Sequence, residues 1–195
     1  ATVIATALGT LAALGLSRPH MPYKGLIMAI LISPMIVPLI ITAAGMFFFY
    51  ARINLVYTFT GVILAHVALA TPFVVITVTA TLVGFDMNMV KAAQSLGAKP
   101  MRTFFKVIMP LILPGIISGA LFAFITSFDE VVIVMFMASI DQLTIPKQMW
   151  AGIRQEISPV ILCMATCLVL LSIFLLTTVE LLRRRSEKLR GIKAR

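Results

Sequence analysis

The stretch from Asp86 to Pro110, DMNMVKAAQSLGAKPMRTFFKVIMP, is the connection whose reading decides how the rest of the chain is arranged. Asp86 is a helix-capping residue type placed before a helix-forming run, so a short helix is predicted over about 87–96. Gly97 supplies the left-handed turn that ends it. Pro100 suits the first position of a second helix. Along that helix Phe104 and Phe105 lead toward an apolar phase, while Lys99, Arg102 and Lys106 stay in water or meet anionic headgroups. Two helices joined by a turn between apolar runs make either a docking surface or a solvated interfacial loop. The physics of the segment alone leaves both open.

On either side the chain is apolar for longer than a soluble helix needs. Five stretches, roughly 2–16, 25–50, 57–83, 107–137 and 159–182, approach or exceed the ~20 residues that cross a hydrocarbon core as a helix. With 61% hydrophobic and 12% charged residues and a mean hydropathy of +1.08, the chain belongs in a bilayer. Helices are the expected spans, because lipid offers no partner to an unpaired amide and the alternation of a barrel strand is absent. The fold class is therefore all-α and polytopic, a single membrane domain over 1–195 with a loop at 84–110 and a basic tail at 183–195.

The net charge of +9 reads as topology, not as a nucleic-acid patch. Of the 16 lysines and arginines, all but Arg52, Lys147 and Arg154 fall in 17–24, 84–106 or the tail. The positive-inside rule puts those three segments, including the C-terminus, in the cytoplasm, with Ala1 on the outer side.

Local signals mark the spans. Pro34, Pro38, Pro72, Pro110 and Pro114 each remove a backbone donor and favour kinks. Ser158-Pro159 reads as an N-cap followed by a first-turn proline, opening the last span. Gly115 and Gly119 give a Gly-x-x-x-Gly spacing for close helix approach, used most simply within the chain. His66 is read as a satisfied interior histidine, and Cys163 and Cys167 as buried small residues, too few for a metal cage. Ile145, Met149 and Ile153, with Trp150 beside them, predict a short outer helix opened by Pro146. It either touches a partner or anchors at the interface.

Asp129 and Glu130 are the only charges between Val107 and Met137. A carboxylate within or at the edge of a span normally faces protein, water or a functional path. Neighbouring helical residues point ~100° apart, so one of the two is expected on a path and the other to cap, pair or reach the interface. Alternatively the helix ends near Phe128 and both acids are wet.

The central loop resembles the EAA motif of ABC importer permeases, written Glu-Ala-Ala, three residues, Gly, nine residues, Ile-x-Leu-Pro. Ala92, Ala93, Gly97 and Pro110 fall on motif positions, Val107 stands for the isoleucine and Met109 for the leucine. Lys91 occupies the place of the glutamate, so at the ATPase contact that the resemblance implies one charge would be reversed. The resemblance covers essentially the whole chain. It is closest to the spermidine/putrescine-type permeases, through Ser33-Pro34-Met35-Ile36-Val37-Pro38, Ala70-Thr71-Pro72-Phe73-Val74-Val75, Gly84-Phe85-Asp86 and Ser127-Phe128-Asp129-Glu130-Val131-Val132.

The resemblance implies a MetI-like, type I importer fold in a bacterial inner membrane, usually of six spans. With five spans read here and Ala1 in place of a start methionine, the first span is expected to be missing. It also implies a second permease subunit, a cytoplasmic ABC ATPase dimer docked on Lys91, Ala92, Ala93, Gly97 and Pro110, and a periplasmic binding protein that delivers a small solute such as a polyamine. Asp129 and Glu130 are then candidates for the substrate path. The sequence carries no Gly-x-x-x-x-Gly-Lys-Ser/Thr phosphate loop and no recognisable catalytic set, so the chain is read as a non-enzyme without cofactor or metal. Two other readings compete. An ion-coupled secondary transporter predicts an internal repeat, which is not evident; a non-transporting assembly subunit leaves the motif spacing unexplained.

Overall fold

The structure, a computed structural model, describes residues 1–18, 21–83, 88–155 and 158–189, and all regular structure among them is helical. In chain order the helices are α1 (Thr2–Leu16), α2 (Lys24–Ile36), α3 (Leu39–Arg52), α4 (Phe59–Val83), α5 (Asn88–Ser95), α6 (Pro100–Thr103), α7 (Met109–Phe128), α8 (Val132–Met137), α9 (Ile145–Gln155) and α10 (Pro159–Leu189). A wider π turn, Phe104–Ile108, joins α6 to α7, so that an apolar helix runs from Pro100 to Phe128.

α4 is the axis of the domain and packs on two faces. One face contributes Val67, Ala70, Val74 and Val78 to a core shared with Ala5 and Ala13 of α1 and Ile112 and Ala123 of α7. Another contributes Ala65 and Leu69 to a second core with Ala43 of α3 and Ile133 and Met137 of α8. Lipid is as apolar as leucine, so van der Waals fit between helices, not escape from solvent, holds such cores. The Gly-x-x-x-Gly spacing is used within the chain: a Cβ on Gly119 would lie 2.9 Å from the Val74 Cα, and one on Gly115 would strike Thr81 and the Thr77 carbonyl.

Each of the five predicted stretches is helical, but two differ from a simple crossing. The stretch 25–50 bends by 106° between α2 and α3. Pro38 forces the residue before it out of the helical region, and Val37 is extended at φ −69°, ψ 136°. Helices of 13 and 14 residues reach only about 20 Å each at ~1.5 Å per residue, so neither alone crosses the core. The stretch 107–137 also breaks: α7 ends at Phe128, and α8 begins at Val132. Together the described residues give three helices long and apolar enough to span, one bent pair, and the shorter α1.

α10 touches the rest through α7 and α9, and none of its apolar span is buried. Cys163 and Cys167, expected to be buried, are therefore exposed. In a membrane segment apolar composition does not separate a protein-facing residue from a lipid-facing one. The cap at Ser158 is as expected, its Oγ accepting from the Val160 N–H at 3.2 Å.

Candidate functional site

The loop builds its short helix from local signals. Asp86 lies outside the described residues, but α5 runs from Asn88 to Ser95 and ends at Gly97, whose φ is +78°. The Ala98 N–H bonds the Ala93 carbonyl at 3.0 Å and the Gly97 N–H the Gln94 carbonyl at 2.9 Å. This paired closure requires a left-handed residue at 97, where glycine has no Cβ to clash. Val90 is buried and Ala93 half-buried against α6 and the π turn, while Lys91, Ala92 and Gly97 are exposed. Pro110 sits in the first turn of α7, ten residues beyond Pro100, which is ~15 Å of helix. The structure thus gathers Lys91, Ala92, Ala93 and Gly97 on one small unit and leaves Pro110 in the span.

Motif reasoning passed over the apolar part of this surface. Leu96 is 89% exposed, and Met89 and Met101 are at least half exposed. The available signal was the presence of large apolar residues in an otherwise charged loop.

The second site is the break after α7. Asp129 is exposed, but Glu130 is only 7% exposed, and its Oε1 accepts from the Ile133 N–H at 2.7 Å. Glu130 thereby satisfies one of the donors that open α8. Two residues before the break, Ser127 Oγ lies 2.9 Å from Nδ1 of His66 on α4. His66 is seven residues past Phe59, about 10 Å down the helix at ~1.5 Å per residue. α8 then climbs back toward the start of α4, where the Met137 carbonyl accepts from the Tyr57 N–H at 2.9 Å. The break therefore lies inside the depth of α4, where irregular backbone persists only when protein or a cavity covers it. Phe124 and Phe128, stacked at 5.2 Å, line a cavity of about 260 Å³ there with Ser127 and Thr144.

The structure places Asp129 and Glu130 in different environments, one open and one occupied as a cap. The expectation that His66 is satisfied holds for Nδ1 only; its buried Nε2 has no partner among the described residues. Beyond α8, α9 begins at Ile145, with Pro146 in its first turn and the Arg154 guanidinium 5.7 Å from the Trp150 ring centre.

Comparison with known proteins places these features in a family. The profile of the family described as "Binding-protein-dependent transport system inner membrane component" matches residues 5–188. The spermidine/putrescine transport system permease protein PotC of Haemophilus influenzae is 30% identical over 187 residues, 96% of this chain and 73% of that protein. The putrescine transport system permease protein PotI of Escherichia coli K12 is 37% identical over 103 residues, 53% of this chain and 37% of that protein. Among solved structures, a chain of the MetNI methionine ABC transporter in an inward-facing conformation superposes with a TM-score of 0.74 at 17% identity, covering 95% of this chain and 88% of that one.

Proposed function

The chain belongs to the inner-membrane components of binding-protein-dependent transport systems, the permease subunits of ABC importers, and from that premise we propose that it lines the path of a small organic cation of the polyamine class. The observation that carries this reading is the break after α7, where a helix opens at membrane depth beside an exposed Asp129. A carboxylate so placed favours a cation. Relatives named as spermidine/putrescine and putrescine permeases point the same way.

In this reading α5 is the coupling element. A separate cytoplasmic ATPase receives Leu96, Met89 and Ala92, with Lys91 meeting an acidic group or water at the rim. A second permease subunit, identical or related, completes the path, and a periplasmic binding protein delivers the substrate. The basic residues of 84–106 and of the tail support a cytoplasmic side for both under the positive-inside rule.

The test is uptake of radiolabelled spermidine and putrescine by vesicles holding the complete complex. ATP-driven uptake of either is expected. Replacing Leu96 with Asp should uncouple uptake by weakening ATPase binding about tenfold or more, the factor that goes with ~1.4 kcal/mol. Failure of the complex to take up either polyamine while it hydrolyses ATP with its binding protein would remove the cation assignment. Purification in mild detergent without any ATPase would instead favour an ion-coupled transporter or an assembly subunit.

A further inference from the structure

We propose that the hydrogen bond between His66 and Ser127 is a clasp that fixes where α7 ends, and so positions Asp129 for the cation. This inference rests on the reading of Asp129 as an acid of the path. His66 and Ser127 are then positioning residues, acting through the acid two residues further on.

The face of α7 toward α4 is a row of small residues at four-residue spacing: Gly115, Gly119, Ala123 and Ser127. The first two lie against Thr81, Thr77 and Val74, and Ala123 shares a core with Val67, Ala70 and Val74. These contacts are non-directional, so they set the separation of the helices but not the point at which the last turn stops. Only the fourth position is tied by a directional bond, Ser127 Oγ to His66 Nδ1 at 2.9 Å. Directly after it the helix opens, with Asp129 still bonded through its N–H to the Ile125 carbonyl at 3.2 Å.

Packing alone gives no reason for a histidine here. His66 is 6% exposed and leaves Nε2 without a partner among the described residues. A leucine of similar size fills that space with no buried polar atom to satisfy. Ser127 also borders the cavity shared with Thr2, Phe124, Phe128, Thr144 and Pro146. The last turn of α7 therefore has room to shift when the bond is lost.

The experiment reads the position of residue 129 without a substrate. In the full complex, with the exposed Cys163 and Cys167 changed to Ala, Asp129→Cys is labelled with a membrane-impermeant maleimide. Ser127→Ala should change the labelling rate about fivefold, the factor that goes with losing a hydrogen bond of ordinary net strength. His66→Leu should match it, the double variant should be no worse than either single change, and Ser127→Thr should label as the parent. In parallel, Ser127→Ala in the native chain should raise KM for spermidine with the maximal rate retained. Labelling at the parent rate in Ser127→Ala, or additive changes in the double variant, overturns the clasp. If labelling responds while Asp129→Asn takes up spermidine like wild type, the acidic path falls and the clasp stands as a fixed point of the fold. If Asp129→Asn loses uptake while Ser127→Ala changes nothing, the clasp alone is removed.

Discussion

Gly119 of α7 and Val74 of α4 meet so closely that a Cβ on residue 119 would stand 2.9 Å from the Val74 Cα. On the other side, a Cβ on Gly9 of α1 would come within 2.6 Å of the Val74 Cβ. Val74 is thus wedged between two glycine faces, and backbone cannot swing away as the tip of a side chain can. Gly119→Ala should destabilise the protein by about 1–3 kcal/mol through overpacking. Gly45→Ala is the control: nothing lies within 4 Å of its Cβ position, and alanine raises helix propensity by up to ~1 kcal/mol. Thermal unfolding in detergent should separate the two. Equal stability would show that α4 and α7 are not packed backbone to backbone.

What the sequence made legible was local. Gly97, Pro100 and Ser158 signal turns and helix starts through their own backbone chemistry, and each acts where its residue type predicts. The five apolar stretches were legible because lipid tolerates little else. Their shape was less so: Pro34 and Pro38 announced a kink, but length alone does not tell a crossing from a pair bent by 106°. Contacts across the chain were hidden. His66 and Ser127 are 61 residues apart, and no periodicity joins them. For the acid pair the sequence leaves open which acid faces a path and which caps, pairs or reaches the interface, or whether both are wet; that Glu130 is a cap depends on α8, whose Ile133 N–H it accepts.

Gly97 makes a second prediction. No atom lies within 4 Å of a Cβ built there, so the cost of a side chain comes from its backbone at φ +78°, not from its neighbours. Gly97→Val should strain the turn by ~1–2 kcal/mol, displace α5, and lower substrate-stimulated ATP hydrolysis while the protein still inserts. Gly97→Asn should retain most activity, because asparagine tolerates the left-handed region. Wild-type coupled hydrolysis in reconstituted Gly97→Val complexes would take this turn out of the coupling step.

The distribution of lysine and arginine makes a third. Reporter fusions after Lys24, Gly97 and Arg185 should report cytoplasm, and fusions near Asn54 and Gln148 periplasm. Asn54 follows α3, and Gln148 lies in α9. The two loops are joined where the Gln142 side-chain amide donates to the Tyr57 carbonyl at 3.1 Å, so they must share one side. An external signal from the Gly97 fusion would leave α5 unable to meet an ATPase and would overturn the coupling assignment.

The acid pair gives the last prediction, and the structure makes it asymmetric. Glu130 is buried and holds the Ile133 N–H. Glu130→Gln keeps an acceptor oxygen at that position, so the fold should survive it, whereas Glu130→Ala should lose ~1 kcal/mol, the usual worth of a helix cap. Asp129 is exposed and accepts no hydrogen bond within the described residues that would fix the fold. In the proposed reading its charge acts on a passing cation. Asp129→Asn should therefore lower spermidine uptake about tenfold, equivalent to ~1.4 kcal/mol, with melting temperature and ATPase assembly unchanged. Glu130→Gln should impair uptake less, and Glu130→Ala should show mainly as a lower melting temperature. Vesicle uptake and thermal unfolding of the same preparations separate the two roles. Wild-type uptake by the Asp129→Asn, Glu130→Gln double variant would end the acidic-path reading and move the origin of substrate choice to the binding protein.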